Sequence, residues 1–260
     1  MNNTSLLLLL IVGLFACNQK EQQNTTQESA PLDRGYDILM TLGHDTESFT
    51  QGLVFNGNEL LESTGGNGTS WISSIDYTTG QGARKLSLED RYFGEGITVM
   101  DHKIYQLTWH GKTGFVYDVN DYKKLGTFEY GYEGWGVTHD STSLIISDGT
   151  DKIHYLNPES FKEERTLSVT ENGKAVTYLN ELEYIHGYIF ANVWQSADIV
   201  KIDPKDGKVV RRYNFDHLVK DNKSANPRAD VLNGIAFNPT NNQTYITGKL
   251  WPRAYIVRFR

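Results

Sequence analysis

Short apolar runs, broken by Gly, Asn, Asp and His, recur along the chain at a nearly fixed interval. Gln51-Gly52-Leu53-Val54-Phe55, Glu95-Gly96-Ile97-Thr98-Val99, Trp135-Gly136-Val137-Thr138, Asn180-Glu181-Leu182-Glu183-Tyr184 and Asn233-Gly234-Ile235-Ala236-Phe237 each open one, with starts 44, 40, 45 and 53 residues apart. A turn-forming cluster follows each, then a second β-rich run: Leu60 to Ser63, Ile104 to Leu107, Leu144 to Ser147, Ile189 to Asn192 and Thr244 to Thr247. Two such runs flanking a turn read as a hairpin. A third run follows in every unit, and a fourth in four of them, at Arg84 to Leu88, Lys124 to Glu129, Glu164 to Val169 and Val209 to Phe215. The fifth unit reaches Arg260 without one. Tyr36 to Thr41, which belongs to no other unit, is expected to supply it and so to cover an otherwise open sheet edge. A period of this length marks a repeat architecture. The pattern predicts an all-β fold, a five-bladed β-propeller over residues 35–260 closed by an N-terminal strand that completes the last blade.

Composition sharpens this picture. With 15 Tyr, 11 Phe and 5 Trp, the chain favours strands over helices. A net charge of −7 with no block of Lys or Arg argues against nucleic acid as a partner. Residues 1–17 read as a leader rather than as part of the fold. The Leu6 to Leu14 run is too short for a bilayer core of about 30 Å and suits a signal peptide. It ends in Leu14-Phe15-Ala16-Cys17, which resembles a bacterial lipobox, although Phe15 is bulky and Met1 to Ser5 carry no basic residue. Export is expected, with a lipid anchor on Cys17 holding the protein at a bacterial membrane, facing the periplasm or exterior. Cys17 is the only cysteine, so no disulfide can form within one chain. Residues 18–34 are polar and read as a tether.

In a propeller the first strands line the axis, so Gln51, Glu95, Trp135, Asn180 and Asn233 should converge on one mouth. Fourteen residues after the first four lie Gly65, Trp109, Gly149 and Trp194; Lys249 lies sixteen after Asn233, as a hairpin longer by two residues would give. A single Trp more often packs between blades than lines a site. Three at two shared repeat positions instead suggest an aromatic-walled pocket. Glu95, between Gly94 and Gly96, lacks solvating neighbours, so its charged form is disfavoured and proton exchange near neutrality is plausible. Lys249 can serve the pocket or be an ordinary ion-pair partner, of Glu95 itself among others.

Other chemistries lack a motif. The seven His residues show no metal-ligand spacing, so neither a metal nor a cofactor is expected, and there is no Gly-x-Ser-x-Gly elbow. Gly65 to Gly68 reads as a loop near the mouth, and Asp76, Asp118 and Asp203 as turn-capping residues at the ends of third strands.

Taken together, Phe49-Thr50-Gln51-Gly52-Leu53, Phe93-Gly94-Glu95-Gly96-Ile97-Thr98, Leu107-Thr108-Trp109, Glu133-Gly134-Trp135-Gly136, Leu179-Asn180-Glu181-Leu182-Glu183, Ala191-Asn192-Val193-Trp194, Leu232-Asn233-Gly234-Ile235-Ala236 and Thr247-Gly248-Lys249 resemble the plant-type glutaminyl-peptide cyclotransferases. The resemblance implies a metal-independent enzyme that converts an N-terminal glutamine of a peptide or protein to pyroglutamate and releases ammonia. It implies that Glu95 is the acid/base, that Trp109, Trp135 and Trp194 frame the pocket, and that Gln51, Asn180 and Lys249 line it. On this reading Lys249 joins Glu95 in catalysis, Asn233 joins the substrate-binding set, and the protein acts as a monomer. The alternatives are a non-catalytic cup for a peptide end or sugar, and a different hydrolase on the same scaffold.

Overall fold

Most of the repeat runs form strands buried on both faces, which is why they read as continuous apolar stretches rather than as alternating ones. In the computed structural model, which describes residues 34–260, Leu53 packs against one neighbouring sheet and Val54 against the other; Leu60 and Leu61 divide in the same way. The expected leader with Cys17 and the expected tether up to residue 33 lie outside the described residues.

Five four-stranded antiparallel sheets result. Blade 1 comprises Thr50–Asn56, Glu59–Thr64, Trp71–Asp76 and Gln81–Ser87; blade 2 comprises Gly94–Met100, Lys103–Thr108, Thr113–Asp118 and Lys124–Glu129. Blade 3 holds Val137–His139, Leu144–Ser147, Lys152–Leu156 and Glu163–Ser168, and blade 4 holds Leu179–Ile185, Tyr188–Val193, Asp198–Ile202 and Val209–Asn214. In blade 5, Leu232–Asn238, Gln243–Gly248 and Arg253–Phe259 are followed outward by Tyr36–Gly43, which pairs antiparallel from Tyr36 opposite Phe259 to Gly43 opposite Arg253. The predicted closing strand is thus in place. The first strands touch in the cyclic order of blades 1, 2, 3, 4, 5 and back to 1. Five apolar clusters among the described residues each fill one blade-to-blade interface, so the core is a ring rather than a centre.

Two elements were absent from the repeat pattern. A small hairpin, Thr170–Glu171 with Lys174–Ala175, and the helix Asp216–Ala225 are inserted around blade 4. The helix accounts for the long final interval. It buries only Leu218 and Asn222, with Val219 half-buried beside them, so its apolar periodicity is weak; just ahead of it the Asn214 side chain accepts from the Asp216 N–H at 3.1 Å. The blade 5 hairpin turn spans residues 239–242, two longer than the turn of blade 2, as the Lys249 offset required. Asp76, Asp118 and Asp203 each accept a hydrogen bond from the backbone N–H two residues on, at 2.8, 2.8 and 2.9 Å.

A buried ion pair fastens the closure. His44, just beyond the closing strand, directs Nε2 at Glu62 Oε1 of blade 1 (3.0 Å) and Nδ1 at the Trp251 carbonyl of blade 5 (2.9 Å). Both partners accept, so both ring nitrogens donate and the imidazole is charged. Ser48 and Thr50 hydroxyls complete the Glu62 shell at 2.9 and 2.6 Å. Burial opposes charge on His44, but Glu62 and the Trp251 carbonyl outweigh it and raise its pKa above 6.5. Burial would likewise raise Glu62, yet His44 and the hydroxyls hold it below 4.5.

The His44 contribution is therefore complete below pH 6.5 and fades as pH climbs through the raised value; that of Glu62 is complete above pH 4.5 and fades as pH drops through the lowered one. His44→Ala leaves Glu62 buried and unpaired and is expected to cost about 3–5 kcal/mol. Urea unfolding should show this loss at pH 6, shrinking as pH rises; an equal, pH-independent loss would show that the imidazole is not charged.

Candidate active site

Four of the five first strands carry an irregularity where the repeat begins. The register slips between Thr50 and Gly52, between Gly94 and Ile97, between Leu179 and Leu182, and between Leu232 and Ile235. Such a bulge leaves a residue out of the ladder and re-aims its side chain. Gln51, Glu95, Asn180 and Asn233 all occupy these slips. In blade 3 the first strand begins only at Val137, and Trp135 precedes it, bonded through its N–H to the Ser147 carbonyl at 2.9 Å.

These positions open on a cavity of about 310 Å³ lined by Phe49, Gln51, Phe93, Glu95, Trp109, Trp135, Asn180, Trp194, Asp230 and Lys249. Seven of the eight residues singled out from sequence line it. Asn233 does not. It is fully buried behind the wall, where its Nδ2 donates to the Thr50 carbonyl at 3.0 Å and to Gln51 Oε1 at 3.3 Å. Its bulge turns the side chain toward blade 1, so it orients Gln51 instead of facing the cavity.

The aromatic walls interlock. Trp135 and Trp194 meet edge to face at 5.5 Å, and Phe93 meets Phe49 at 6.2 Å and Trp109 at 5.6 Å in the same manner. The glycines at the equivalent repeat positions make room for these rings. A Cβ on Gly149 would stand 2.6 Å from the Trp135 ring, and one on Gly65 would overlap Phe93. Trp and Gly therefore alternate around the mouth on steric grounds.

Two ionisable groups sit in this apolar setting. Glu95 is 4% exposed, and so is Lys249. Burial pushes the Glu95 carboxyl well above the usual carboxylate range; the Lys249 ammonium opposes the rise and the Glu133 charge adds to it. Burial also lowers Lys249, against the pull of Glu95 and Asp230. The Lys249 Nζ lies 4.6 Å from the centre of the Phe49 ring. Asn180 contributes a side-chain oxygen that is buried without a hydrogen-bond partner. An unmet buried acceptor is costly, and a guest bearing N–H groups would relieve it. The cavity can thus hold a small guest between rings, offer it an acceptor and a cation, and exchange a proton with it.

Phe49, Phe93, Asp230 and Glu133 were not singled out from the sequence. The repeat does contain a signal for three of them, since the position two before each start reads Phe49, Phe93, Glu133, Tyr178 and Val231; Asp230 lies outside it. Among the described residues no three His, Cys, Asp or Glu side chains are grouped so as to hold a metal.

Known proteins resemble this chain in sequence and in fold. The glutamine cyclotransferase family profile matches residues 7–259. The chain is 38% identical to a glutaminyl-peptide cyclotransferase of Arabidopsis thaliana over 227 residues, which cover 86% of this chain and 71% of the plant protein. It superposes on the crystal structure of Myxococcus xanthus glutaminyl cyclase with a TM-score of 0.78 at 33% identity, covering 86% of this chain and 95% of the other. A chain of a nidogen/laminin complex, at 13% identity and a TM-score of 0.52 over 78% of this chain and 73% of that one, shares the fold alone.

Gly149 has φ of +79°, and an added Cβ would meet Trp135, whereas one on Gly126 would meet nothing within 4 Å. Gly149→Ala should therefore cost about 2–4 kcal/mol from backbone strain and overpacking, while Gly126→Ala stays close to neutral. Thermal unfolding of the two variants makes the comparison; equal midpoints would mean that Trp135 does not occupy the place described.

Proposed function

The chain belongs to the glutamine cyclotransferase family, and on that premise we propose that it closes the N-terminal glutamine of a peptide into pyroglutamate, with Glu95 as the proton carrier and without a metal. The observation that carries the reading is a buried carboxyl of raised proton affinity beside a buried ammonium, inside an aromatic cavity the size of one or two residues.

The substrate's neutral α-amine attacks its own side-chain amide carbon. A carbon–nitrogen bond forms, the original amide bond breaks, and ammonia leaves. The attacking nitrogen gives up one proton and the departing nitrogen gains one, so no outside acid or base is consumed. Glu95 can take the first and deliver the second, a role worth about 10²-fold to 10⁴-fold in rate. Lys249 can donate to the oxygen that turns negative in the tetrahedral intermediate, a role made stronger by the dry surroundings. The unmet Asn180 oxygen is suited to accept from the α-amine and so aim its lone pair. The indoles confine the glutamine in its folded-back form, which removes entropy before the reaction begins. No step calls for a Lewis acid, because Lys249 supplies the positive charge.

We further propose that the enzyme works outside the cytoplasm. The Leu6 to Leu14 run ending at Cys17 supports export and lipid attachment at that cysteine, with residues 18–34 as the tether. The partner is a peptide or protein with an N-terminal glutamine, met by a monomer.

Incubation with a Gln-initiated peptide should release ammonia and lower the peptide mass accordingly, equally with and without chelator. Glu95→Gln should lose about 10²-fold to 10⁴-fold in kcat. Peptide binding without ammonia release would favour a non-catalytic cup, and chelator-sensitive turnover would remove the metal-free mechanism. For anchoring, Cys17→Ser should shift the exported protein from the membrane to the soluble fraction; retention on the membrane would exclude a lipid at Cys17.

A further inference from the structure

Glu133 takes no part in the proton transfer described above, yet it holds two walls of the cavity. One of its carboxylate oxygens accepts from the Trp109 indole N–H at 2.8 Å and from the Trp135 indole N–H at 3.1 Å. Trp109 follows the second strand of blade 2, whereas Trp135 leads into the first strand of blade 3. A single atom therefore ties together rings carried by two blades. The other carboxylate oxygen lies 3.4 Å from His110 Nδ1, and the His110 ring stacks on Trp109 at 3.6 Å.

We propose that Glu133 is a positioning residue of the cyclotransferase, setting the gap between Trp109 and Trp135 so that the cavity accepts glutamine only in its folded-back conformer. The inference rests on the cyclotransferase reading for the identity of the guest. An indole has one N–H and no acceptor, so each ring has a single directional tether. Charge-assisted hydrogen bonds are about twice as strong as neutral ones, and a carboxylate is the side chain that can take two such donors without offering a competing one. The repeat points the same way. At this offset the other units carry Phe49, Phe93, Tyr178 and Val231, and the carboxylate appears where two indole N–H groups meet.

Glu133 also acts at a distance on the proton carrier. Burial alone would raise its pKa, but the two indole hydrogen bonds, with His110 and Lys112 nearby, hold it below the usual range, so it stays an anion. That anion is one of the groups that raise Glu95. Glu95 is otherwise faced by Lys249 of blade 5, which has Asp230 beside it, and by Tyr130 at the end of blade 2. Removing the Glu133 charge withdraws support for the protonated form of Glu95. The pH–rate limb that belongs to Glu95 then moves to lower pH.

Two substitutions separate the tether from the charge. Glu133→Gln keeps an oxygen for the indoles and loses the charge; Glu133→Ala loses both. The side chain is 39% exposed, so neither leaves a cavity in the core. Affinity for a Gln-initiated peptide is read by tryptophan fluorescence in a Glu95→Gln background, and kcat and KM across pH in the otherwise native enzyme. Glu133→Ala is expected to weaken peptide binding about tenfold and to lower kcat/KM about 10²-fold, the scale on which small misplacements act. Glu133→Gln should restore most of the affinity while its pH limb lies below that of the native enzyme. Native affinity in Glu133→Ala, or a Glu133→Gln limb that coincides with the native one, overturns the proposal. The binding arm does not need turnover, so a native enzyme that binds the peptide without releasing ammonia would sink the cyclotransferase reading while still testing the tether.

Discussion

Five first strands can surround one axis only if their backbones come nearly into contact, and this requirement governs the rest of the molecule. Gly52, Gly96 and Gly136 lie on that axis, where a Cβ would press on the backbone of the next first strand; on Gly52 it would stand 2.5 Å from the Ile97 nitrogen. Gly234 holds the same repeat position, against the Leu53 side chain. Blade 4 departs from the rule. Its residue there is Glu181, whose carboxyl reaches across to accept from the Leu53 and Ile235 N–H groups at 3.2 and 2.8 Å. One blade thus spans the axis with a side chain where the others close it with bare backbone.

That tight axis explains why the cavity-lining residues stand where they do. Strands this close leave little room for large side chains between them, so four of the five slip register at the mouth, and three of those slips turn a side chain, Gln51, Glu95 or Asn180, into the cavity. The slip sites are fixed by the ladders on either side. Glu95 and Asn180 are therefore delivered on strands rather than on loops, which gives the precision that the proposed proton transfer needs.

Delivery into a dry mouth carries a cost in stability that the ring clusters must offset. A buried carboxyl, a buried ammonium and an Asn180 oxygen without a partner all oppose folding. The same burial that makes them costly brings the proton affinities of Glu95 and Lys249 toward each other, as the proposed chemistry requires. The His44–Glu62 pair stands in contrast. It is as deeply buried, but every acceptor around it is matched with a donor, and it serves the closure of the ring.

Much of this was legible in the sequence. The period and the turn chemistry fixed the number of blades, Tyr36 to Thr41 identified the closing strand, and repeat-equivalent positions named seven residues that line one cavity. These are local or periodic properties, and a repeat transmits them directly, because each unit meets its neighbours in the same way. The sequence alone did not reveal that Asn233 turns away to hold Gln51, that Gly65 and Gly149 yield their space to Phe93 and Trp135, or that Glu133 joins two indoles. Those outcomes depend on the direction of a bulge and on which neighbouring ring reaches a space first. Equivalent positions share a place in the fold but not a set of neighbours, and only the closed ring decides the neighbours.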